Sequence, residues 1–360
     1  MLNAGVAQAI GDETRVTMTS LVAAVAGAHA GQTIARAMWT IAPRFCELRS
    51  EPLAPLARDE ALVRTLVSGI SGGTEALVFA GKVPASEHAR MRAPFQAGNF
   101  PFPVKYGYAA VGIVEAGPAD WVGAKVFALH PHQDRFVLPV SALTRVAETI
   151  PEARAVLTAN LETALNAVWD AGLLPGARVA IIGAGVIGSL IAAIAAAMPA
   201  VSVTMFDTDQ ARAERAALFG ADFALLGQTV APSGIDGDFD CVFQASGQGA
   251  GLATALAIAG FEADIIDVSW YGDATVNLSL GQAFHSRRLR LISSQVGAIA
   301  PRARGRFDHR RRMAVVQRLL GDMRLDSLLG TRVTFEDLPR KMGSLLTGRG
   351  GLCPVVVYPG

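Results

Sequence analysis

The sequence lacks the cysteine patterns that build zinc ribbons or disulfide frameworks. Its three cysteines, Cys46, Cys241 and Cys353, are far apart, and no CxxC or cysteine–histidine cluster occurs. Both kinds of scaffold need such clusters, so the sequence excludes them. Isolated thiols are typical of a reducing compartment, and we therefore expect a cytoplasmic protein.

The sequence also lacks a charge bias. Lysine and arginine total 32, aspartate and glutamate total 31, and the formal net charge is +1. No global field therefore attracts nucleic acid or an anionic membrane, and neither is expected as a partner. The 51% apolar content and 37 glycines of this 360-residue chain are typical of a compact α/β enzyme with two domains.

Residues 179–206 contain no charged side chain, and their length alone would admit a membrane span. Gly183, Gly185, Gly188 and Pro199 interrupt the run, however. The segment divides naturally into a strand, a helix and a second strand, as a covered parallel sheet requires. We therefore expect residues 179–206 to form part of a buried protein core and not a membrane span.

Residues 1–36 have no regular pattern. A short apolar stretch and an AHA triplet resemble a signal peptide weakly, but the early charges are mixed. The alternatives are a poorly ordered extension, or an upstream start codon before a true beginning near Met38. We expect an extension.

Two periodicities follow along the chain. From Ala37, short alternating strands separated by glycine, proline and charged turns predict a barrel-like β domain. From Pro151, strands and helices alternate, which predicts a doubly wound parallel sheet. The tail after residue 312 has the pattern helix, strand, helix, strand.

The segment VAIIGAGVIG contains a G-x-G-x-x-G pattern after a predicted strand and before a predicted helix. Glycines there allow a tight turn, close approach to a pyrophosphate and close helix packing, while the helix N-terminus attracts phosphate. The sequence therefore predicts a dinucleotide site. Its turn residues are Gly183, Gly185, Val186, Ile187 and Gly188.

Asp207 ends the next predicted strand, where an acid binds the adenosine ribose hydroxyls. A carboxylate there repels a 2′-phosphate, so NAD is favoured over NADP. Arg212 and Arg215 could still bind the 2′-phosphate of NADP. The simpler interpretation is that both arginines belong to a solvent-exposed helix face.

Two segments carry a family resemblance: SGISGGTE at residues 68–75 and GYAAVGIVEAG at 107–117. With the dinucleotide fingerprint and the returning tail, the chain from about Ala37 onward resembles the medium-chain dehydrogenase/reductase superfamily. The resemblance implies a GroES-like β-barrel domain over 37–157 and 298–360. It implies a Rossmann domain over 158–297, with substrate and nicotinamide meeting between the two.

The zinc ligands of that family are missing. The resemblance places Ser71 where zinc members have cysteine, Tyr108 where they have histidine, and Thr158 or Ala159 near their third ligand. Zn²⁺ prefers thiolate, imidazole or carboxylate, so we expect no zinc. A different metal site could be built only from the remaining candidates, Glu75, His88, His130, His132 and Glu162.

Without zinc, side chains must hold the reacting oxygen and move its proton. Tyr108 lies where the resemblance places a residue facing that oxygen, although it could simply fill the space of the metal. His130 corresponds to a pocket-lining position, with a loop histidine as the alternative. Ser71 and Thr74 supply hydroxyls nearby, whereas Gly73 replaces the usual relay hydroxyl.

Two further strand ends are expected beside the nicotinamide by the same resemblance. They comprise Ala245, Ser246, Gly247, Val268 and Ser269. A basic region at residues 284–288 and 302–312 could bind a carboxylate or phosphate of an anionic substrate. A solvated face or an oligomer contact would explain it equally.

These features together predict a zinc-independent, NAD(P)-dependent oxidoreductase acting on an alcohol/carbonyl pair. SGISGGTEALVFAGKVP is locally similar to a zinc-free branch that includes bacteriochlorophyllide a dehydrogenase. Two alternatives remain: enoyl or quinone reduction, and a dinucleotide-binding sensor or partner module without turnover. By resemblance, a homodimer is expected through residues 289–297.

Overall fold

Within residues 33–227, 237–347 and 352–359, which the computed structural model describes, the strands form three sheets. Residues 1–32 lie outside this range, and so does the expectation of a poorly ordered extension there. Ile34–Arg36, which we assigned to the extension, already belong to the first strand. The regular fold thus begins slightly before Ala37.

The first part of the chain is largely β-structure. Its strands are β1 (Ile34–Ala42), β2 (Phe45–Pro52), β3 (Glu60–Gly69), β4 (Ala97–Gly98), β5 (Val104–Lys105), β6 (Ala110–Ala116), β7 (Lys125–Ala128), β8 (Arg135–Pro139) and β9 (Thr144–Arg145). One sheet has the order β2-β1-β5-β4. Strand β3 shows the predicted alternation, because Ala61, Val63, Thr65 and Val67 are buried and the residues between them are less so.

A six-stranded parallel sheet follows. Its strands are β10 (Arg178–Ile182), β11 (Ser202–Asp207), β12 (Asp222–Leu225), β13 (Phe239–Gln244), β14 (Ala259–Asp267) and β15 (Arg290–Ser293). Their order, β12-β11-β10-β13-β14-β15, reverses beside β10, which makes the sheet doubly wound. The edge strand β15 exposes Leu291, but pairing of two copies there stays a prediction.

Helices cover the sheets and connect their strands. They are α1 (Thr74–Phe79), α2 (Glu152–Ala155), α3 (Thr158–Ala171), α4 (Val186–Ala195), α5 (Ala213–Leu218), α6 (Gly249–Ile258), α7 (Ala283–Ser286), α8 (His309–Leu319) and α9 (Leu338–Thr347). Helix α3 ends at Gly172, whose φ of 59° is a left-handed cap that glycine adopts without strain. Among the described residues, no helix combines the length and apolar character that crossing a bilayer requires.

The tail returns to the β-rich part of the molecule. Strands β16 (Leu329–Thr334) and β17 (Cys353–Val357) extend a seven-stranded sheet of order β16-β17-β3-β6-β7-β9, in which β8 also pairs with β3. The last described strand therefore lies directly beside β3. The exact limits of the two domains stay a prediction.

The basic region does not form one cluster. Arg312 is almost fully buried, where it binds the Glu162 carboxylate at 2.8 Å and the Asn166 amide oxygen at 2.7 Å, joining α8 to α3. Arg287 donates to the Ala259 carbonyl at 2.7 Å and Arg288 to Glu262 at 2.8 Å. These contacts are structural, and an anionic substrate stays a prediction.

Candidate active site

The glycine turn after β10 leaves room for a phosphate group. A Cβ added at Gly188 would overlap the Gly183 carbonyl oxygen, and one at Gly183 would lie 2.8 Å from the Ser246 backbone. At Gly185, by contrast, the nearest atom is the Arg212 guanidinium at 4.0 Å. Two glycines therefore permit close packing, while the third borders open space.

Helix α4 begins at this open space. Gly185 precedes it in an extended conformation, and no side chain caps its first turn. The first amide groups, including those of Val186 and Ile187, are thus available to an anion, which the positive end of the helix dipole also favours. These features fit the pyrophosphate of a dinucleotide.

Asp207 lies beside the turn, but its carboxylate already has donors. It accepts the Ala184 amide at 2.7 Å, the Asp209 amide at 3.0 Å and the Arg212 guanidinium at 2.8 Å. Arg215 donates to the Ala184 carbonyl at 3.0 Å. The adenosine end of the site therefore contains a paired acid together with two guanidinium groups.

The ends of β13 and β14 form a polar rim next to the turn. The Ala245 amide donates to the Ile182 carbonyl at 2.8 Å, and the Val268 amide donates to the Gln244 carbonyl at 3.0 Å. The Ser269 hydroxyl accepts the Gly247 amide at 3.1 Å. The predicted residues Ala245, Ser246, Gly247, Val268 and Ser269 thus lie at the same carboxyl edge as the glycine turn.

Ser71, Thr74 and Tyr108 come together at the start of α1; we call them the hydroxyl triad. Burial, aided by the nearby Glu75 carboxylate, raises the pKa of Tyr108 well above its usual value, and the smaller opposing effect of the Ser71 and Thr74 hydroxyls lowers it. The phenol therefore stays protonated near neutral pH and can donate a hydrogen bond.

Helix α1, at which the hydroxyl triad lies, contacts the loop after β14. A Cβ built at Gly272 would lie 2.8 Å from the Leu77 side chain of α1. Tyr108 packs against the same hydrophobic cluster as Trp270 of that loop. Three of the four predicted catalytic residues thus lie at the helix that this loop contacts, and their catalytic roles stay predictions.

His130 has different surroundings. It is buried, its ring stacks on Phe136 with centroids 4.0 Å apart, and its Nδ1 lies 3.0 Å from the Pro131 carbonyl. Burial lowers the pKa of His130 to about 3. The ring is neutral at physiological pH, so these contacts favour the loop-histidine alternative, and a catalytic role stays a prediction.

A buried hydrogen-bonded chain, which we call the Glu75 network, lies behind the triad. Glu75 accepts the Ser71 amide at 2.8 Å and contacts His132 Nε2 at 2.9 Å. His132 Nδ1 lies 2.7 Å from the Ser68 hydroxyl, which lies 2.9 Å from the Tyr358 hydroxyl. The sequence indicated Glu75 only as a metal ligand, and His132 as a metal ligand or a lesser alternative to His130 in proton transfer. The available signal for Glu75 was a charged residue directly before the apolar run ALVF.

The residues at the family's zinc positions are poor metal ligands. Thr158 is fully buried and donates its hydroxyl to the Ala155 carbonyl at 2.7 Å. Of the alternative ligands, Glu162 binds Arg312 and His88 contacts the Val83 carbonyl, both away from Glu75. Among the described residues, no three histidine, cysteine or acidic side chains are placed to share a metal ion.

No protein-family model and no curated protein matches this sequence, whereas many solved structures match its fold. L-Idonate 5-dehydrogenase from Escherichia coli K-12 has a TM-score of 0.74 at 16% identity, over 91% of this chain and 99% of that one. A Sinorhizobium meliloti 1021 protein described as a zinc-binding dehydrogenase and bound to NADP scores 0.72 at 18% identity, over 91% and 100%. An alcohol dehydrogenase from Escherichia coli CFT073 in complex with NADH scores 0.71 at 16% identity, over 90% and 99%.

The chain has the medium-chain alcohol dehydrogenase fold. This confirms the predicted combination of a β-rich domain with a doubly wound parallel sheet. In this fold the glycine turn lies at the carboxyl edge of the parallel sheet, where ligands of open parallel sheets bind.

Proposed function

We propose that this protein is a zinc-independent, NAD(P)-dependent oxidoreductase that interconverts an alcohol and a carbonyl compound. One arrangement carries the proposal: the hydroxyls of Tyr108, Ser71 and Thr74 lie by α1, which contacts the loop after β14, and β14 ends beside a dinucleotide-type glycine turn. Reduction of an enone or quinone would use the same donors to stabilise an enolate, so a substrate panel must separate the two chemistries.

The glycine turn and the first turn of α4 would hold the pyrophosphate, and Ala245–Gly247 with Val268 and Ser269 would border the nicotinamide. A bound nicotinamide supplies or accepts the hydride. In reduction, the hydroxyl triad would hold the carbonyl oxygen, and Tyr108 would donate a proton to it as negative charge develops. In oxidation, Tyr108 would first lose its proton to solvent, and the resulting phenolate would accept the proton of the alcohol as the hydride leaves.

Zinc independence rests on the donor set. Ser71, Tyr108 and Thr158 offer only neutral hydroxyls where zinc members have stronger ligands, and Thr158 already uses its proton within the helix. The positioned hydroxyls would take over the task of polarising the substrate oxygen, which a metal otherwise performs.

The proposed function is tested with a panel of aldehydes, ketones, enones and quinones, using NADH and NADPH as reductants. We expect turnover of at least one aldehyde or ketone, unchanged by chelators, in protein whose elemental analysis shows no stoichiometric zinc. One zinc per subunit, lost together with activity on chelation, would contradict zinc independence. Tight NADH binding without turnover of any compound would favour the sensor alternative.

The choice between NAD and NADP is proposed to depend on Arg212. The Asp207 carboxylate already accepts three hydrogen bonds, including one from Arg212, and Arg212 borders the open space at Gly185. We therefore expect both cofactors to bind, with the guanidinium contacting the 2′-phosphate of NADP. Hydrogen bonds to charged groups contribute about 1.5–3 kcal/mol. Arg212→Ala should thus weaken NADPH binding by roughly 10–100-fold.

Fluorescence titration of the reduced cofactors measures this effect. NADH affinity should change much less than NADPH affinity, because NADH has no 2′-phosphate. Arg178→Ala, which removes a half-exposed guanidinium at the start of β10, is the matched control and should alter neither. Equal weakening of both cofactors by Arg212→Ala would show that this residue does not discriminate between them.

A further inference from the structure

Glu75 is an ionisable group in a place where burial is costly. It is 3% exposed and lies one position beyond the hydroxyl triad in α1. A buried carboxylate needs partners to offset its desolvation. Glu75 has two, one on each oxygen: the Ser71 amide at 2.8 Å and the His132 imidazole at 2.9 Å.

The network links Glu75 to the end of the chain. An ionised carboxylate only accepts hydrogen bonds, so His132 Nε2 is the donor to an ionised Glu75. His132 Nδ1 lies within hydrogen-bond distance of the Ser68 hydroxyl, and that hydroxyl lies within hydrogen-bond distance of the Tyr358 hydroxyl. Every polar atom of this buried chain thus has a partner, which fixes the His132 ring and, through it, Glu75.

The turn that Glu75 holds has few side-chain contacts of its own. Gly72 and Gly73 are exposed, and a Cβ at either would meet no atom within 4 Å. Before them, the Ile70 amide donates to the Pro354 carbonyl at 3.0 Å, and the Ser71 carbonyl accepts the Glu75 backbone amide at 3.1 Å. The Glu75 carboxylate adds a side-chain hydrogen bond to the Ser71 amide, so Ser71 is joined to α1 through both of its backbone polar groups.

We propose that Glu75 is the positioning residue of the active site: its clamp between the Ser71 amide and the His132 imidazole keeps the Ser71 and Thr74 hydroxyls against the Tyr108 phenol. This inference rests on the proposed function and adds a residue to its machinery. The Glu75 charge acts on the surrounding groups as well. It contributes to the raised pKa of each of Cys46, Tyr106, Tyr108, Cys353 and Tyr358, in all of which burial is the largest cause.

Two substitutions separate the clamp from the charge. Glu75→Gln removes the charge but keeps an oxygen for the Ser71 amide and an NH₂ for His132, once the ring proton moves to Nδ1. Glu75→Asp keeps the charge but is one methylene shorter and cannot reach both partners. A misplacement of about 1 Å costs on the order of 100-fold in rate. We therefore expect kcat to fall on the order of 100-fold in Glu75→Asp and to stay near the wild-type value in Glu75→Gln. The affinity for NADH should be unchanged in both variants.

Two readouts do not require turnover. Hydrogen exchange of the amides in residues 70–76 should accelerate in Glu75→Asp and stay slow in Glu75→Gln. Ultraviolet titration of tyrosine, with Tyr108→Phe as the reference, should show a lower pKa for Tyr108 in Glu75→Gln, because a nearby negative charge has been removed. Glu87→Gln, which removes a carboxylate from an exposed pair with Arg90, is the matched control and should change neither readout.

The outcomes are distinguishable. Wild-type-like kcat in Glu75→Asp, or equal exchange in both variants, would overturn the positioning role. Accelerated exchange in Glu75→Asp without loss of kcat would reduce the clamp to a structural contact and overturn it as well. Wild-type protein that reduces no carbonyl compound would refute the proposed function, whereas the exchange and titration results would still support or overturn the clamp.

Discussion

Gly188→Ala should abolish measurable binding of the reduced cofactor. The added methyl group would overlap the Gly183 carbonyl oxygen, which belongs to the backbone and has no flexible end that can yield. Helix α4 must therefore move away from β10, taking its first amide groups with it. Losing two charge-assisted hydrogen bonds of about 1.5–3 kcal/mol each weakens binding by more than about 100-fold.

Fluorescence titration with NADH measures the loss, and thermal unfolding measures its structural cost. Overpacking of this kind costs about 1–3 kcal/mol, so the protein should remain folded with a lower midpoint. Gly281→Ala, in open space on the surface, is the control and should bind NADH normally. Normal NADH binding by Gly188→Ala would mean that the cofactor does not bind at this turn.

Tyr108→Phe should lower kcat for carbonyl reduction by roughly 10²–10⁴-fold, the usual contribution of a positioned acid or base. The substitution keeps the ring, which packs against two hydrophobic clusters, and removes only the hydroxyl. The affinity for NADH should not change. Steady-state kinetics on the most reactive carbonyl compound, together with NADH titration, check both statements.

The matched control is Tyr106→Phe, the same chemical change two residues away. The two rings meet edge to face with centroids 6.0 Å apart, so packing around Tyr108 is preserved. Wild-type kcat in Tyr108→Phe would show that the tyrosine only fills space. The wild-type rate of reduction should also show no ionisation of His130 between pH 5 and 8, because its pKa is lowered to about 3.

Local patterns made much of the fold predictable. The glycine turn, the strand before it and the helix after it are specified by residues adjacent in sequence, so VAIIGAGVIG indicated both a structure and a ligand. The segment at 179–206 became strand, helix and strand, as its glycines indicated. Such predictions succeed because each element depends on its own periodicity.

The Glu75 network could not be predicted in this way. Glu75 and His132 are 57 residues apart and meet only when the connection between β7 and β8 folds over α1. In a strand, the spacing of HPH would place both histidine rings on one face, but both histidines lie in that connection. Phe136 then stacks on one ring, and Glu75 and Ser68 bind the other.

The insertion of β17 next to β3 has a consequence for biosynthesis. Cys353, at the start of β17, contacts the Ile70 carbonyl across 283 residues of sequence, and Tyr358 completes the Glu75 network. The last strand of the parallel sheet ends at Ser293, 60 residues before Cys353. At about 5–20 residues per second, a ribosome makes that segment in roughly 3–12 seconds, so the parallel sheet can form before the strand that closes the hydroxyl site has been made. The nascent chain would complete its proposed nucleotide-binding sheet first and the strand beside the hydroxyl triad last.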